Sequence, residues 1–365
     1  MKQRIIYIDI LKVVAIFFVT WGHTLSQFGT HTQFVGLETD WIFSFHMPLF
    51  AVLSGMCFSA PTDCKLWNPI WKKTKALLIP NIIWCFLFYI AMHGAYMCLQ
   101  FILGKNAIYQ GNLLADWWNA ICYEGWWFLR ALFLVYIYAI FSIYVTVQLT
   151  KQGTNRSILI AGLGSTLIMY LVTLLGIIPN HPQPLIGAIY LYPFVWTGVA
   201  IRLSDACVEK HLKNIFVVCA LLWAIGLCFW KFSYTFYGMN TSIFATSGSI
   251  VGMDVAWITL YRYIIGVVSS IAIICLVRLI FGNKAYGVSK TLDRIAEIGK
   301  YTLFIYIAPS FFFHAIKERV VFENEIISFI FCTLTSIAIV IACYWMAKVV
   351  ERCKWSRRLL LGIWK

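Results

Sequence analysis

The sequence contains few charged residues and no polar segment long enough to fold as a separate domain. Asp, Glu, Lys and Arg make up 12% of its 365 residues, whereas a soluble domain has about a quarter. Hydrophobic residues make up 61%, and the mean hydropathy is +0.79. This composition excludes an ordinary soluble fold. It predicts an all-α, polytopic membrane helix bundle that forms a single domain over residues 1–365.

Metal-binding and redox motifs are also missing. The twelve cysteines form no C-x-x-C pair, and most of them lie within apolar runs. We therefore interpret them as small buried hydrophobic residues. No carboxylate or cysteine has a metal-ligand spacing with the histidines, so no metal site is expected. The apolar N-terminal run contains charges and no small-residue cleavage site, which argues against a cleaved signal peptide.

Ten segments are apolar and long enough to be membrane spans, since a spanning helix needs about 20 such residues. The predicted spans are 5–27, 41–60, 76–99, 126–148, 157–178, 186–203, 214–231, 257–281, 299–316 and 325–348. Residues 240–256 are too polar for a span and are interpreted as a loop or a re-entrant segment.

The distribution of positive charge predicts the orientation. With both termini in the cytoplasm, 21 of the 29 Lys and Arg residues fall in cytoplasmic segments, four in outer loops and four within spans. This is the asymmetry expected from the positive-inside rule. The net charge of +14 is therefore interpreted as a topology signal. A nucleic-acid partner is not expected, because such proteins gather basic residues on one soluble face.

The first predicted span carries three ionisable residues in the run YIDILKVVAIFFVTWGH (Tyr7–His23). Helical geometry places Asp9, Lys12 and His23 on one face, with Lys12 and His23 about 20° apart around the axis and about 16 Å apart along it. Ionisable groups in hydrocarbon are costly unless they have partners or line a cavity. The pattern therefore predicts a polar cavity inside the bundle.

Further polar residues are predicted near the outer ends of other spans. His46, Arg130 and Arg262 lie there, and Trp127 precedes Arg130 closely. Histidine suits general base chemistry and cations suit binding of phosphate or carboxylate. Spacing alone leaves alternatives open. His23 could instead be a structural histidine or a proton relay, His46 could support a helix end, and Arg130 could extend to the membrane interface.

Two motifs resemble signatures of the acyltransferase-3 family of membrane acyltransferases. That family has an arginine or lysine, ten residues, then a histidine in its first helix, which Lys12 and His23 match. FHMPLFAVLSG (45–55) is similar to its second-helix motif. WWFLRALFLVY, YRYIIGVVSSI and IGKYTLFIYI resemble looser elements further along the chain. The resemblance extends over nearly the whole chain.

The resemblance implies transfer of an acyl group, often acetyl, from cytoplasmic acetyl-CoA or another acyl-CoA to a hydroxyl. The acceptor would be a glycan or lipid-linked sugar of a bacterial envelope, and the location the inner membrane. On this hypothesis His23 is the general base or a transient acyl carrier, and Asp9 orients Lys12 toward the donor. Four further residues would orient the acceptor or stabilise the oxyanion. They are His46, Arg130, Arg262 and Trp127.

The sequence departs from the family pattern at two places. The cation of the first helix is Lys12, where many members have arginine. Lysine keeps the positive charge but lacks the two parallel hydrogen-bond donors of a guanidinium. Pro309 occupies a position where many members have histidine. Two other functions compete with the enzyme: a transporter or flippase that uses the polar face as a permeation path, and a catalytically inactive scaffold. An N-acyltransferase acting on an amino sugar is a further alternative within the enzyme class.

Overall fold

The computed structural model describes residues 5–28, 33–59, 66–103, 112–122, 126–177, 183–235, 242–244, 250–282, 286–287, 289–315, 322 and 324–364. Over these residues the chain forms helices and no strand. The longer helices are α1 (Ile6–Phe28), α2 (Gln33–Met56), α4 (Ile79–Leu103), α6 (Trp127–Thr150), α7 (Asn155–Leu174), α8 (Gln183–Leu203), α10 (Leu212–Leu227), α11 (Asp254–Phe281) and α15 (Glu325–Glu351).

Shorter helices lie between or after them. They are α3 (Trp67–Lys73), α5 (Leu113–Cys122), α9 (Asp205–Lys210), α12 (Lys290–Ile298), α13 (Thr302–Ile307), α14 (Pro309–Ala315) and α16 (Lys354–Leu361). A π-helical turn, Thr74–Leu78, joins α3 to α4, and a 3-10 turn, Gly299–Tyr301, joins α12 to α13. The all-α membrane bundle predicted from the sequence is confirmed.

Seven helices of the described chain are long and apolar enough to cross a membrane, namely 6–28, 67–95, 127–150, 155–174, 184–203, 254–281 and 325–351. The apolar helix α10 is shorter, with 16 residues. The predicted span 299–316 contains a break between α13 and α14, because Pro309 starts α14 and cannot donate the hydrogen bond that would continue α13. The count of ten spans and the cytoplasmic termini stay predictions. Within the predicted loop or re-entrant segment 240–256, residues 240, 241 and 245–249 lie outside the described residues.

Helices α2 and α8 pack with their backbones in close contact. A Cβ atom added to Gly55 would lie 1.9 Å from the carbonyl oxygen of Val195, and one added to Gly198 would lie 1.9 Å from that of Val52. Small residues permit this approach, which is how helices gain packing energy in a membrane where the hydrophobic effect does not drive them together. The contact fixes the position of the helix that carries His46.

Arg278 joins three helices near the end of α11. Its guanidinium is buried, Nη1 donates to Asp205 at 2.8 Å and Nη2 donates to Glu209, both on α9. Its Cζ also lies 5.1 Å from the ring centroid of Tyr7 on α1. Two carboxylates of α9 therefore hold this cation and connect α9 to α11.

Replacing Gly198 with alanine should lower the melting temperature of the detergent-solubilised protein by several degrees. The added methyl has no space beside the Val52 carbonyl, and overpacking of this kind costs about 1–3 kcal/mol. Gly164→Ala on α7 is the matched control, since open space surrounds that position. Equal effects of the two substitutions would contradict the packing role of Gly198.

Glu38, in the N-terminal part of α2, makes the stability of the folded protein depend on pH. Both of its carboxylate oxygens are buried without a hydrogen-bond partner among the described residues. Burial raises the pKa of Glu38 to about 7, and the nearby negative charge of Glu325 raises it too. The folded protein therefore holds this proton more tightly than the unfolded chain, whose glutamate pKa is about 4.3. The stabilisation is complete below the unfolded pKa and is lost as the pH rises through about 7.

We expect the melting temperature to fall as the pH rises from 5 to 8, and Glu38→Gln to flatten that dependence because glutamine does not titrate. Glu325→Gln should move the decline to lower pH, since it removes one cause of the raised pKa. Thermal unfolding across this pH range measures both effects. An unchanged pH profile in Glu38→Gln would show that another group controls it.

Candidate functional site

Two adjoining cavities lie inside the bundle, one beside each end of the polar face of α1. The histidine cavity, about 250 Å³, is lined by His23, His46, Trp127 and neighbouring residues. The lysine cavity, about 220 Å³, is lined by Lys12, Lys73, Tyr136 and neighbouring residues. The predicted polar cavity is thus present as two compartments, and the sequence-predicted residues divide between them.

The two compartments meet at a common boundary, which we call the shared wall. Val19 on α1, Met47 on α2 and Tyr306 on α13 border both cavities. A group that entered through the lysine cavity would therefore reach the histidine cavity at this wall. This arrangement allows two different molecules to approach each other from opposite sides within one protein.

His23 lies near the C-terminal end of α1 and is accessible from the histidine cavity. Its ring centroid is 6.1 Å from that of Phe313 on α14. No hydrogen bond to a described residue engages the imidazole. A ring nitrogen of His23 is therefore free to accept a proton from a molecule in the cavity.

His46 lies in the same cavity with a defined ring orientation. Its Nδ1 is 2.8 Å from the carbonyl oxygen of Ile42, one helical turn earlier. A carbonyl only accepts hydrogen bonds, so Nδ1 carries the proton and the neutral ring has its lone pair on Nε2. The ring also packs edge-on against Phe43, with centroids 4.7 Å apart. The structure thus brings the two predicted histidines into one cavity, one of them held by the backbone.

Asp9 and Lys12 form the polar group at the other end of the α1 face. Lys12 Nζ donates to Asp9 Oδ1 at 2.9 Å, and the hydroxyl of Tyr286 donates to Oδ2 at 2.6 Å. The Asp9 side chain is 2% exposed and that of Lys12 is 28% exposed. Asp9 is therefore buried and paired, while the ammonium of Lys12 remains accessible to the lysine cavity.

Sequence reasoning missed Lys73 as a candidate site residue. Its ammonium lies 3.5 Å from the ring centroid of Tyr136 and lines the lysine cavity opposite α1. The residue directly precedes the π-helical turn Thr74–Leu78, and such turns are frequent at functional sites. A cluster of three lysines within four residues, at 72, 73 and 75, was the available signal.

The remaining predicted site residues occupy different positions. Trp127 lines the histidine cavity, and its ring lies against Gly187, where an added Cβ would be 2.5 Å away. Arg130 is buried and donates from Nη1 to the carbonyl oxygens of Ala120, at 2.6 Å, and Ile121. Arg262 is buried with its Cζ 5.0 Å from the Tyr190 ring centroid. Neither arginine is among the described residues that line the two cavities.

A polar contact joins two residues that line the histidine cavity. Trp126 donates from Nε1 to the hydroxyl of Ser310 at 2.9 Å, which links the start of α6 to α14. His93 on α4 pairs with Asp116 on α5 at 3.2 Å, and neither residue is in the described lining of this cavity. Within the described residues no group of three or more His, Cys, Asp or Glu side chains is arranged to hold a metal ion.

The fold and the site define an integral membrane protein whose helix bundle encloses a lysine-lined and a histidine-lined cavity that meet near its centre. The family model described as an acyltransferase domain, acyltransferase-3, matches residues 5–345. The chain therefore belongs to this family and is a membrane acyltransferase. No curated protein and no solved structure is significantly similar to this chain.

Arg130→Lys should lower the melting temperature by several degrees, because a lysine keeps the charge but cannot reproduce the guanidinium contacts with the end of α5. Hydrogen bonds to charged groups contribute about 1.5–3 kcal/mol. Arg156→Lys, at an exposed position of α7, is the control. Unchanged stability together with lost transferase activity would indicate instead that Arg130 acts on the substrate.

Proposed function

We propose that this acyltransferase moves an acetyl group from cytoplasmic acetyl-CoA to a hydroxyl of an envelope glycan or lipid-linked sugar. Its location would be a bacterial inner membrane. The observation that carries the proposal is the shared wall, because it separates a cationic compartment from an imidazole-lined one by a single layer of side chains.

The lysine cavity suits the acyl-CoA donor. Lys12 and Lys73 present two ammonium groups to one compartment, and the phosphates of coenzyme A are anionic. No described carboxylate lies within ion-pairing distance of Lys73, whereas Asp9 holds Lys12. The narrow volume fits an extended pantetheine arm better than the bulkier nucleotide. The positive-inside pattern, which predicts that the lysine cluster at 72–75 is cytoplasmic, supports entry of the donor from that side.

The histidine cavity suits the acceptor. On this proposal a ring nitrogen of His23 takes the proton of the acceptor hydroxyl while the oxygen attacks the thioester carbonyl. The carbon–sulfur bond then breaks, the coenzyme leaves as its thiolate, and a proton restores the thiol. Neutral His46 would accept a hydrogen bond at Nε2, since Nδ1 donates to Ile42. It would therefore orient the acceptor, and the flat ring of Trp127 provides a surface for a sugar.

The test follows isotope-labelled acetyl-CoA in sealed membrane vesicles that contain the wild type or His23→Ala. We expect label on an envelope glycan or lipid with the wild type and at least a hundredfold less with His23→Ala, the scale of lost general base catalysis. His211→Ala, at an exposed position after α9, is the matched control. Size-exclusion profiles and melting temperatures establish that each variant is folded.

The outcomes separate the alternatives. Full activity in folded His23→Ala would remove this residue from the mechanism, and loss in His46→Ala alone would make His46 the base. If the folded wild type transferred label from no acyl-CoA, the acetyl-CoA proposal would fail. Movement of a glycan precursor across the vesicle membrane without consumption of donor would then favour the transporter.

A further inference from the structure

The shared wall is made of three side chains that leave little open space between the cavities. Val19 is 5% exposed and Met47 is 6% exposed, although both border the two cavities. The third residue, Tyr306, packs edge-on against Phe128 with ring centroids 5.8 Å apart. Two apolar side chains and one aromatic ring therefore form the boundary across which the compartments meet.

We infer that the shared wall selects the length of the acyl group and restricts transfer to short acyl groups of two or three carbons. This inference rests on the proposed function. If the donor extends from the lysine cavity and the acceptor occupies the histidine cavity, the thioester carbon must lie at their boundary. The acyl chain attached to that carbon then contacts Val19 and Met47, while the rest of both substrates lies further away.

Val19 should be the stricter of the two apolar residues. A valine in a helix has one strongly preferred side-chain rotamer, so its methyl groups cannot swing away from a longer acyl chain. Methionine has three rotatable bonds and adapts to different shapes. Because closely packed interiors respond to a change of one methylene, the volume at Val19 should determine the limit and Met47 should modulate it.

The chemistry of the wall also favours an uncharged acyl group. Among the three residues that border both cavities, only Tyr306 carries a hydroxyl, and none carries a charge. A charged acyl group such as succinyl would have no described cation at the wall itself, since Lys12 and Lys73 line the lysine cavity alone. Acetyl and propionyl groups meet both requirements.

The test is a competition in vesicles between acetyl-, propionyl- and butyryl-CoA, with the acylated products quantified by mass spectrometry. Val19→Ala should raise the butyryl-to-acetyl product ratio at least tenfold, because one methylene in a closed apolar pocket changes discrimination about 10- to 200-fold. Met47→Ala should raise it less. Val13→Ala, on the same helix but outside the described lining of both cavities, is the matched control and should leave the ratio unchanged.

A variant with a larger side chain at position 19 tests the same inference if Val19→Ala fails to fold. Val19→Ile adds one methylene to the wall and should lower the propionyl-to-acetyl ratio without lowering the melting temperature by more than a few degrees. If wild type and variants transfer acyl groups with the same length preference, the inference is overturned and the proposed function stands. If the wild type transfers none of the three acyl groups, the proposed function fails, which is a distinguishable result.

Discussion

The cost of placing ionisable groups in hydrocarbon constrains every part of this bundle. An isolated charge at the centre of a bilayer is disfavoured by at least about 2.5–3.5 kcal/mol, yet α1 carries Asp9 and Lys12 within its first two turns. The protein offsets this cost by pairing the charged side chains with polar partners and by placing them beside an internal cavity. Tyr286 and Lys12 satisfy the carboxylate of Asp9, and the lysine cavity gives the ammonium access to polar molecules.

The other cations inside the bundle are of two kinds, those held by acceptor groups of the protein and those accessible from a cavity. Arg278 is neutralised by two carboxylates of α9, and Arg130 is held by carbonyl oxygens at the end of α5. These side chains join helices, so their charge is used within the protein. Lys73 differs, because its described contacts are with aromatic rings and its ammonium borders a cavity. The distinction between a satisfied cation and an accessible one separates structural residues from candidate binding residues.

The sequence was sufficient to predict the helical membrane class and the polar face of α1, because both depend on local composition and on helical periodicity. It also selected His23 and His46 as candidate site residues, and the structure places both in one cavity. Periodicity could not show that Arg130 and Arg262 face neighbouring helices, because that depends on how α5, α6, α8 and α11 pack. Nor could it separate Lys73 from the adjacent lysines, since only the turn at Thr74–Leu78 and the position of Tyr136 place its ammonium beside a cavity.

The reciprocal glycine contact between α2 and α8 has a mechanical consequence. Backbones that touch at Gly55 and Gly198 cannot slide past each other without a clash, so α2, which contributes residues to both cavities, is held against α8. Other lining residues come from α13 and α14, which are six and seven residues long and are separated at Pro309. A chain interrupted there has fewer backbone hydrogen bonds to break when it bends. Any widening of the site for a bulky acceptor should therefore come from movement of the segment that carries Tyr306 and Ser310, while α2 keeps its position.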